Sequence, residues 1–362
     1  MINQIEPWIT EAEISEVFNC ISSTFVTEGK YTSMFEQEVA KLHGCTHQPV
    51  AYANATAGLY ASLKLLGIKP GQEVIIPALT FIATANSIIM AGGIPVCADI
   101  DLSFNLDLEH VEQLINANTF AIMPVHLYGH FTNVTQIKRL CEHKGLKLIE
   151  DASQGVGVCD TNNNFAGTLG DFGVLSFYGN KFVTAAQGGM ILSNSKESLE
   201  AASKFKNHGR SQKGTFFHES VGFNFCTSDL HSALGYSQML RFEEIRTRKL
   251  QIFKRYKANL SQIDGLEIDE IDSKKPSYWF ISIFCKNASE LERKLKVSGV
   301  QTRRSFPPLS LQPCYNDTEL LRSDYAEGAT KIFERYLSLP SSATLSDSQI
   351  DNICEIMIEA LK

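Results

Sequence analysis

A single lysine stands in the stretch SFYGNKFVTAAQGGM, between two aromatic residues and a run of small residues that ends in Gly-Gly. Lysine is rarely buried without a partner, and an amine removed from water has a lowered pKa and becomes a nucleophile toward carbonyl groups. A lysine in a loop is ordinarily a solvated surface residue, but the apolar residues around Lys181 argue against that interpretation. The pattern favours a buried, reactive amine.

Three other loops hold candidate ligand-binding residues. Ala55-Thr56 opens a helix whose free backbone N–H groups could hold a phosphate, although an ordinary helix cap is the simpler explanation of this stretch alone. Phe81 follows the next strand, and it could be a core residue or stack on a flat ring. Asp151 closes the strand LKLIED one turn before Gln154. Its buried carboxylate needs a partner, either a structural cation or a cationic ligand nitrogen.

These residues fall at the ends of strands in a regular alternation of strands and helices. From about residue 48, apolar segments typical of buried strands alternate with amphipathic segments, which indicates a parallel sheet covered on both faces. Ligands bind beyond the carboxyl ends of such strands. We therefore predict an α/β fold. Residues 1–240 would form a large domain with an N-terminal helical segment, and residues 241–362 a linking helix and a smaller C-terminal α/β domain.

Composition and charge argue against several classes of protein. The formal net charge is −7 with both signs interspersed, which is unlike a nucleic-acid-binding surface. The apolar runs are too short to cross a bilayer, and the N-terminus lacks the features of a signal peptide. Nine scattered cysteines without a C-x-x-C pair are typical of reduced thiols and indicate neither disulfides nor a metal site. We expect a cytoplasmic protein.

Together the residues at the strand ends match the requirements of pyridoxal 5′-phosphate (PLP). They supply a phosphate cradle, an aromatic ring for stacking, a carboxylate for a cationic ring nitrogen and a lysine for a carbonyl group. In PLP enzymes the lysine forms a Schiff base, and the aspartate keeps the pyridine nitrogen protonated so that the ring accepts electrons. The ordered set is a stronger indication than any one of its members.

Segments throughout the chain resemble the DegT/DnrJ/EryC1/StrS family of PLP-dependent sugar aminotransferases, which have the fold-type I aminotransferase fold. They include ANATAGLYASLKLLG, PALTFIATANSI, IEDASQGVG, SFYGNK, QGGMILSN and FNFCTSDLHSALGYSQM. The resemblance implies that Lys181 is the Schiff-base lysine and proton shuttle. It further implies contacts to the cofactor from Ala55, Thr56 and Ser176 at the phosphate, Phe81 on the ring face, Asp151 at the ring nitrogen and Gln154 beside the ring hydroxyl.

The resemblance also implies an assembly. Asn224, in the stretch GFNF, matches an asparagine that family members contribute to the cofactor phosphate of the neighbouring subunit. We therefore expect a homodimer with shared active sites. Its small-molecule substrates would be L-glutamate and a nucleotide-linked keto-sugar.

The residues around Lys181 bear on the position of amination. Family members that act at C3 of the sugar tend to read F-Y-P-x-K-N-L-G, and members that act at C4 read F-F-G-N-K-x-I-T. The present chain reads FYGNKFVT, with Gly179, Asn180 and Thr184. The resemblance thus favours C4 of a 4-keto-6-deoxyhexose, for a surface glycan such as an O-antigen.

Two alternatives stay open, and three departures from the family pattern bear on the substrate. The alternatives are a C3 aminotransferase and a non-catalytic regulator that binds PLP or a nucleotide sugar. Lys181 argues against a dehydratase of the same fold, which carries histidine there. The departures are Gln187 in place of a glutamate, Cys226-Thr227 in place of Arg-Met, and Ser310 in place of a histidine. They lie outside the cofactor set and leave dTDP, GDP and UDP open as the nucleotide.

Overall fold

The computed structural model describes residues 1–211, 216–273, 275–316, 318–324 and 326–361. Within these ranges the α-helices are α1 (Glu11–Ser22), α2 (Lys30–His43), α3 (Ala55–Leu66), α4 (Ala83–Met90), α5 (Leu108–Leu114), α6 (Val134–Lys144), α7 (Lys196–Lys206), α8 (Asp229–Leu240), α9 (Phe242–Leu260), α10 (Ala288–Val297), α11 (Glu327–Arg335) and α12 (Asp347–Leu361). The strands are β1 (Val50–Tyr52), β2 (Glu73–Pro77), β3 (Ile94–Ala98), β4 (Thr119–Ile122), β5 (Lys147–Ala152), β6 (Phe172–Ser176), β7 (Gly189–Leu192), β8 (Leu266–Ile268), β9 (Ile281–Cys285), β10 (Arg303–Arg304), β11 (Arg322–Ser323) and β12 (Tyr336–Leu339).

The larger sheet has the strand order β1-β7-β6-β5-β4-β2-β3-β11. Strand β7 runs antiparallel to both of its neighbours, and the other pairs are parallel. Strands β2 and β6 are buried along their whole length, as expected for strands covered on both faces. The predicted α/β fold with a mostly parallel sheet is confirmed.

The smaller sheet is antiparallel, in the order β10-β12-β9-β8. It forms a second apolar core with helices α9, α10 and α12, through residues such as Ile252, Ile283, Leu337 and Ile353. Apolar residues at helical spacing on α9, among them Tyr256 and Leu260, are buried in this core, so this face of the helix packs on the smaller sheet.

Two segments of the chain cross between these units, one near the N-terminus and one at β11. The backbone N–H of Ile2 donates to the carbonyl of Gly299 at 2.8 Å, which ties the N-terminal residues to the smaller unit. Conversely, β11 extends the larger sheet by pairing with β3. The division at residues 240 and 241 stays a prediction.

The described ranges contain neither a candidate membrane-spanning helix nor a cluster of metal ligands. No helix there has the length and apolar character needed to cross a membrane. In the same ranges, no three His, Cys, Asp or Glu side chains come together as potential metal ligands.

Candidate active site

The register of three strands brings the predicted phosphate-binding residues together at the carboxyl ends of the parallel strands, which we call the sheet edge. Ser176 at the end of β6 is paired with Gly189 of β7, and Gly189 is paired with Tyr52 at the end of β1. The chain leaves β1 at Tyr52 and enters α3 at Ala55. Ser176 and the N-terminus of α3 therefore lie at the same edge, on either side of Gly189.

The N-terminus of α3 presents free donors at this edge. Asn54 caps the helix, and its Oδ1 accepts the backbone N–H of Ala57 at 2.9 Å. The N–H groups of Ala55 and Thr56 and the hydroxyl of Ser176 make no hydrogen bond with any described residue. Unpaired N–H groups at the positive end of a helix dipole suit an anion. The capping role and the phosphate-binding role are thus compatible, because different groups serve each.

Gly189 makes this arrangement possible. A Cβ atom at position 189 would lie 2.4 Å from the carbonyl carbon of Asn54 and 2.5 Å from the backbone nitrogen of Ala55. We expect Gly189→Ala to weaken PLP binding at least about tenfold and to destabilise the fold by about 1–3 kcal/mol, because the backbone must move. A fluorescence titration with PLP and urea denaturation measure the two effects.

Gly179→Ala is the matched control for that substitution. The nearest atom to a Cβ at position 179 is the carbonyl oxygen of Ala186 at 3.7 Å, an ordinary contact. We expect this variant to bind PLP as the unchanged protein does. Equal losses of affinity in both variants would contradict the role given to Gly189.

Asp151 is a buried carboxylate whose hydrogen-bond donors among the described residues are uncharged. It is 4% exposed at the end of β5, accepts the hydroxyl of Thr84 at 2.7 Å and accepts the backbone N–H of Ser153 at 3.1 Å. No Lys, Arg or His of the described chain forms a salt bridge with it. The structural ion pair considered from the sequence is therefore absent from these residues. The carboxylate suits the remaining alternative, a cationic ligand nitrogen.

The neighbouring carboxylate, Glu150, has a full set of hydrogen-bond donors within the protein. Glu150 accepts His126 Nε2 at 2.8 Å and backbone N–H groups of Gly167, Leu169 and Gly170 at 2.6–2.9 Å. Burial alone would raise the pKa of Glu150, but these donors lower it overall. Side chains alternate along a strand, so Glu150 is a structural anchor and Asp151 faces the other side.

Lys181 has the properties expected of a reactive amine. Burial lowers the pKa of Lys181 to about 7, although the charge of Asp151 raises it in part. The amine Nζ lies 4.0 Å from the ring centre of Trp279. Sequence reasoning missed Trp279, which is distant in the chain and lies in an apolar run that predicts only a buried strand.

Gln154 and Phe81 differ in burial. Gln154 is buried, and its Oε1 accepts the backbone N–H of Tyr128 at 2.8 Å. Tyr128 has φ +54° and stacks on Phe306 with ring centres 5.5 Å apart. The ring of Phe81 is 53% exposed and lies 5.5 Å from the same Phe306. Phe81 is thus not a core residue, and its free face can stack on a flat ligand.

Asn224 lies away from these residues on the surface. It is exposed and lines an open cavity together with Glu28 and Arg210. The backbone nevertheless links this segment to the phosphate-binding edge, because the carbonyl of Phe225 accepts the N–H of Ala53 at 2.8 Å.

The loop after Lys181 contains one residue in an unfavourable conformation. Ala186 has φ +61° and donates its N–H to Thr184 Oγ1 at 2.9 Å. An L-residue with a side chain is disfavoured there, and glycine is not. We expect Ala186→Gly to raise the free energy of unfolding by about 0.5–1 kcal/mol, measured by urea denaturation.

The control for that prediction is Ala117→Gly. Ala117 is also exposed and outside the helices, but its φ is not positive. Glycine there should lower the free energy of unfolding by up to about 1 kcal/mol. The same sign in both variants would refute the explanation from φ.

The mixed sheet, the lysine beyond β6 and the buried carboxylate at the end of β5 define a PLP-dependent enzyme of fold-type I. A solved structure, the aminotransferase TlmJ from Streptoalloteichus hindustanus, has a TM-score of 0.93 and 30% sequence identity, and the match covers 100% of this chain and 99% of that chain. The GDP-perosamine synthase of Vibrio cholerae is 32% identical over 98% of this chain and 97% of its own length. The GDP-perosamine synthase of Escherichia coli O157:H7 is 32% identical, with the same two coverages.

The DegT/DnrJ/EryC1/StrS aminotransferase family model matches residues 7–358. The chain belongs to this family, and the resemblance drawn from its sequence is confirmed. It is an enzyme, an aminotransferase with PLP as its cofactor.

Proposed function

We propose that the protein transfers an amino group from L-glutamate to C4 of a nucleotide-linked 4-keto-6-deoxyhexose, dTDP- or GDP-linked, for synthesis of a surface glycan. The observation that carries amino transfer is the amine of Lys181, whose pKa is lowered to about 7 and which feels the charge of Asp151, a buried carboxylate without a salt bridge among the described residues. The C4 position is supported by the stretch FYGNKFVT and by relatives named as GDP-perosamine synthases.

The residues at the sheet edge fit PLP group by group. In this proposal the free N–H groups of Ala55 and Thr56 and the hydroxyl of Ser176 hold the phosphate. The exposed face of Phe81 stacks on the ring, and Asp151 receives the ring nitrogen. Gln154, already fixed by Tyr128, lies beside the ring hydroxyl.

The protein's own contribution to the chemistry is proton transfer and charge placement. When bound, PLP supplies an electron sink for the carbon that is losing its proton. An amine with pKa near 7 is present in both protonation states at neutral pH, so it serves as base and as acid. Lys181 Nζ takes the proton from the amino-bearing carbon of glutamate and returns a proton to sugar C4. Asp151 would hold the ring nitrogen in its protonated form, which is the form that accepts electrons.

The surface around Asn224 supports a homodimer with shared sites. Phe216, Phe217 and Val221 are 86%, 85% and 83% exposed, an unusual amount of apolar surface in one segment. In the proposed dimer this segment is covered by the partner subunit, and Asn224 reaches the partner's cofactor phosphate. We also propose a cytoplasmic location, because all nine cysteines are free thiols.

The test of the proposed function is the product. The purified protein is reconstituted with PLP and incubated with L-glutamate and a dTDP- or GDP-linked 4-keto-6-deoxyhexose, and NMR locates the new nitrogen. We expect 2-oxoglutarate and a sugar with the amine at C4. Nitrogen at C3 would overturn the position, and an absorbance spectrum that no amino acid changes would support a regulator instead.

A further inference from the structure

The indole of Trp279 contacts the reactive amine of the site. Trp279 is 4% exposed, and Lys181 Nζ lies 4.0 Å from its ring centre. The face of tryptophan attracts a cation by about 0.5–2 kcal/mol, depending on how dry the contact is, whereas a neutral amine lacks this attraction. The contact therefore distinguishes the two protonation states of Lys181.

Trp279 is held rigidly by neighbours on several sides. Its Nε1 donates to the carbonyl of Asn180 at 2.7 Å, and Asn180 directly precedes Lys181. Its ring stacks on Phe280 with centres 3.9 Å apart and planes at 21°. Its carbonyl accepts the amine of Lys249 at 2.8 Å. The indole is thus a fixed platform that is bonded to the same loop as the amine above it.

Burial, opposed in part by a nearby carboxylate, determines the pKa of the Lys181 amine. Asp151 on β5 raises the pKa of Lys181, against the larger effect of burial, which lowers it to about 7. Glu6 of the N-terminal segment and Lys249 of α9 line the same narrow cavity as Lys181. Burial also lowers the pKa of Lys249 to about 7, but the hydrogen bonds of its amine go to two backbone carbonyls.

We propose that Trp279 is a positioning residue, which docks the amine of Lys181 in its charged form whenever that amine is not covalently bound to the cofactor. The ring holds Nζ while it carries a proton. When Nζ loses the proton, this attraction ends and the amine is free to leave the ring. Position and charge are thereby coupled, so that the docked amine is a stored proton donor for the sugar carbon. The inference rests on the proposed role of Lys181, but docking itself requires no turnover.

The first experiment places a probe on the ring itself. The sequence has two tryptophans, so 5-fluorotryptophan in a Trp8→Phe background labels Trp279 alone. ¹⁹F NMR of the full chain is followed through a pH titration, with and without PLP. We expect the free protein to show a titration with its midpoint near neutral pH, which vanishes in Lys181→Met and when PLP is bound to the lysine.

Lys249→Met is the matched control, because burial lowers the pKa of Lys249 to about 7 as well, and its amine donates to the carbonyl of the same tryptophan. The titration should persist in this variant. A titration that survives in Lys181→Met, or one that is lost only in Lys249→Met, would overturn the docking of Lys181.

A second experiment changes the ring without changing its shape. Mono-, di- and trifluorinated tryptophans draw negative charge from the ring face while keeping almost the same volume, so the fold is retained. The proton affinity of Lys181 should fall stepwise, about two- to fivefold over the series. It is measured by the pH dependence of Lys181 acetylation with acetic anhydride, read by mass spectrometry.

A flat series would overturn the proposal whatever the enzyme's activity. Failure of amino transfer with an intact stepwise series would count against the proposed function alone and leave docking supported. The two proposals can therefore fail separately.

Discussion

Replacing Lys181 by methionine should lower kcat for amino transfer by about 10⁴-fold or more while the chain still folds. Proton transfer by a positioned side chain contributes about 10²–10⁴-fold by itself, and the variant also loses covalent attachment of the cofactor. Methionine fills most of the volume of the lysine stem and avoids an unpaired buried charge. Glutamate-dependent formation of 2-oxoglutarate and the visible absorbance band of lysine-bound PLP are the two measurements.

The variant Lys249→Met distinguishes loss of the reactive amine from the general effect of replacing a lysine whose pKa is lowered by burial. In Lys249→Met, two backbone carbonyls lose their donor, so we expect a loss of stability of about 1–3 kcal/mol per unsatisfied group. The absorbance band should remain, because Lys249 does not form it. A band that persists in Lys181→Met, or disappears from folded Lys249→Met, would show that Lys181 is not the lysine that binds the cofactor.

The second large effect is expected for Asp151→Asn, which keeps the shape of the side chain and removes its charge. The amide can still accept the hydroxyl of Thr84, so the fold should be preserved. We expect kcat to fall about 10²–10³-fold, because a neutral amide no longer stabilises a protonated ring nitrogen. Steady-state rates with glutamate measure this directly.

Asp151→Asn also has a predicted effect on the lysine. The charge of Asp151 raises the pKa of Lys181, so its removal should lower that pKa below about 7 and increase the neutral fraction of the amine. Acetylation of Lys181 in the cofactor-free chain should therefore be faster at a fixed, slightly acidic pH. The control is Thr84→Val, which removes the hydrogen bonds of the hydroxyl with Asp151 and Thr80 and keeps the charge of Asp151. If Thr84→Val lost as much activity as Asp151→Asn, the charge would not be the cause.

The position of Lys181 and Asp151 could be predicted from the sequence because their placement follows from local rules. An apolar strand followed by an amphipathic helix predicts a parallel sheet, and the residue that closes such a strand lies at its carboxyl edge. The strand LKLIED and the stretch before Lys181 therefore indicate a shared edge without knowledge of the tertiary structure. The family resemblance added roles that this pattern alone left open.

Other features depend on contacts that no local pattern encodes. Strand β11 has two residues, too few to show any periodicity, yet it extends the larger sheet from the far end of the chain. Trp279 lies two residues before the start of β9, where an aromatic residue predicts only burial. Its approach to Lys181 depends on how the smaller unit packs on the larger one. Phe81 was ambiguous for the same reason, since its exposure depends on the position of Phe306.

Glu150 and Asp151 are adjacent in β5 but differ in their hydrogen bonding, and this difference limits where the chain can change in length. Alternate residues of β5 face opposite sides of the sheet. On one side the carboxylate of Glu150 accepts four hydrogen bonds, and on the other side the carboxylate of Asp151 is available to a ligand. A single residue inserted between Lys147 and Glu150 would exchange those faces. Glu150 would then face the ligand-binding side of the sheet, and Asp151 would face the side on which the donors to Glu150 now lie. Length variation in this family should accordingly be confined to the loops on either side of β5, and never to the strand.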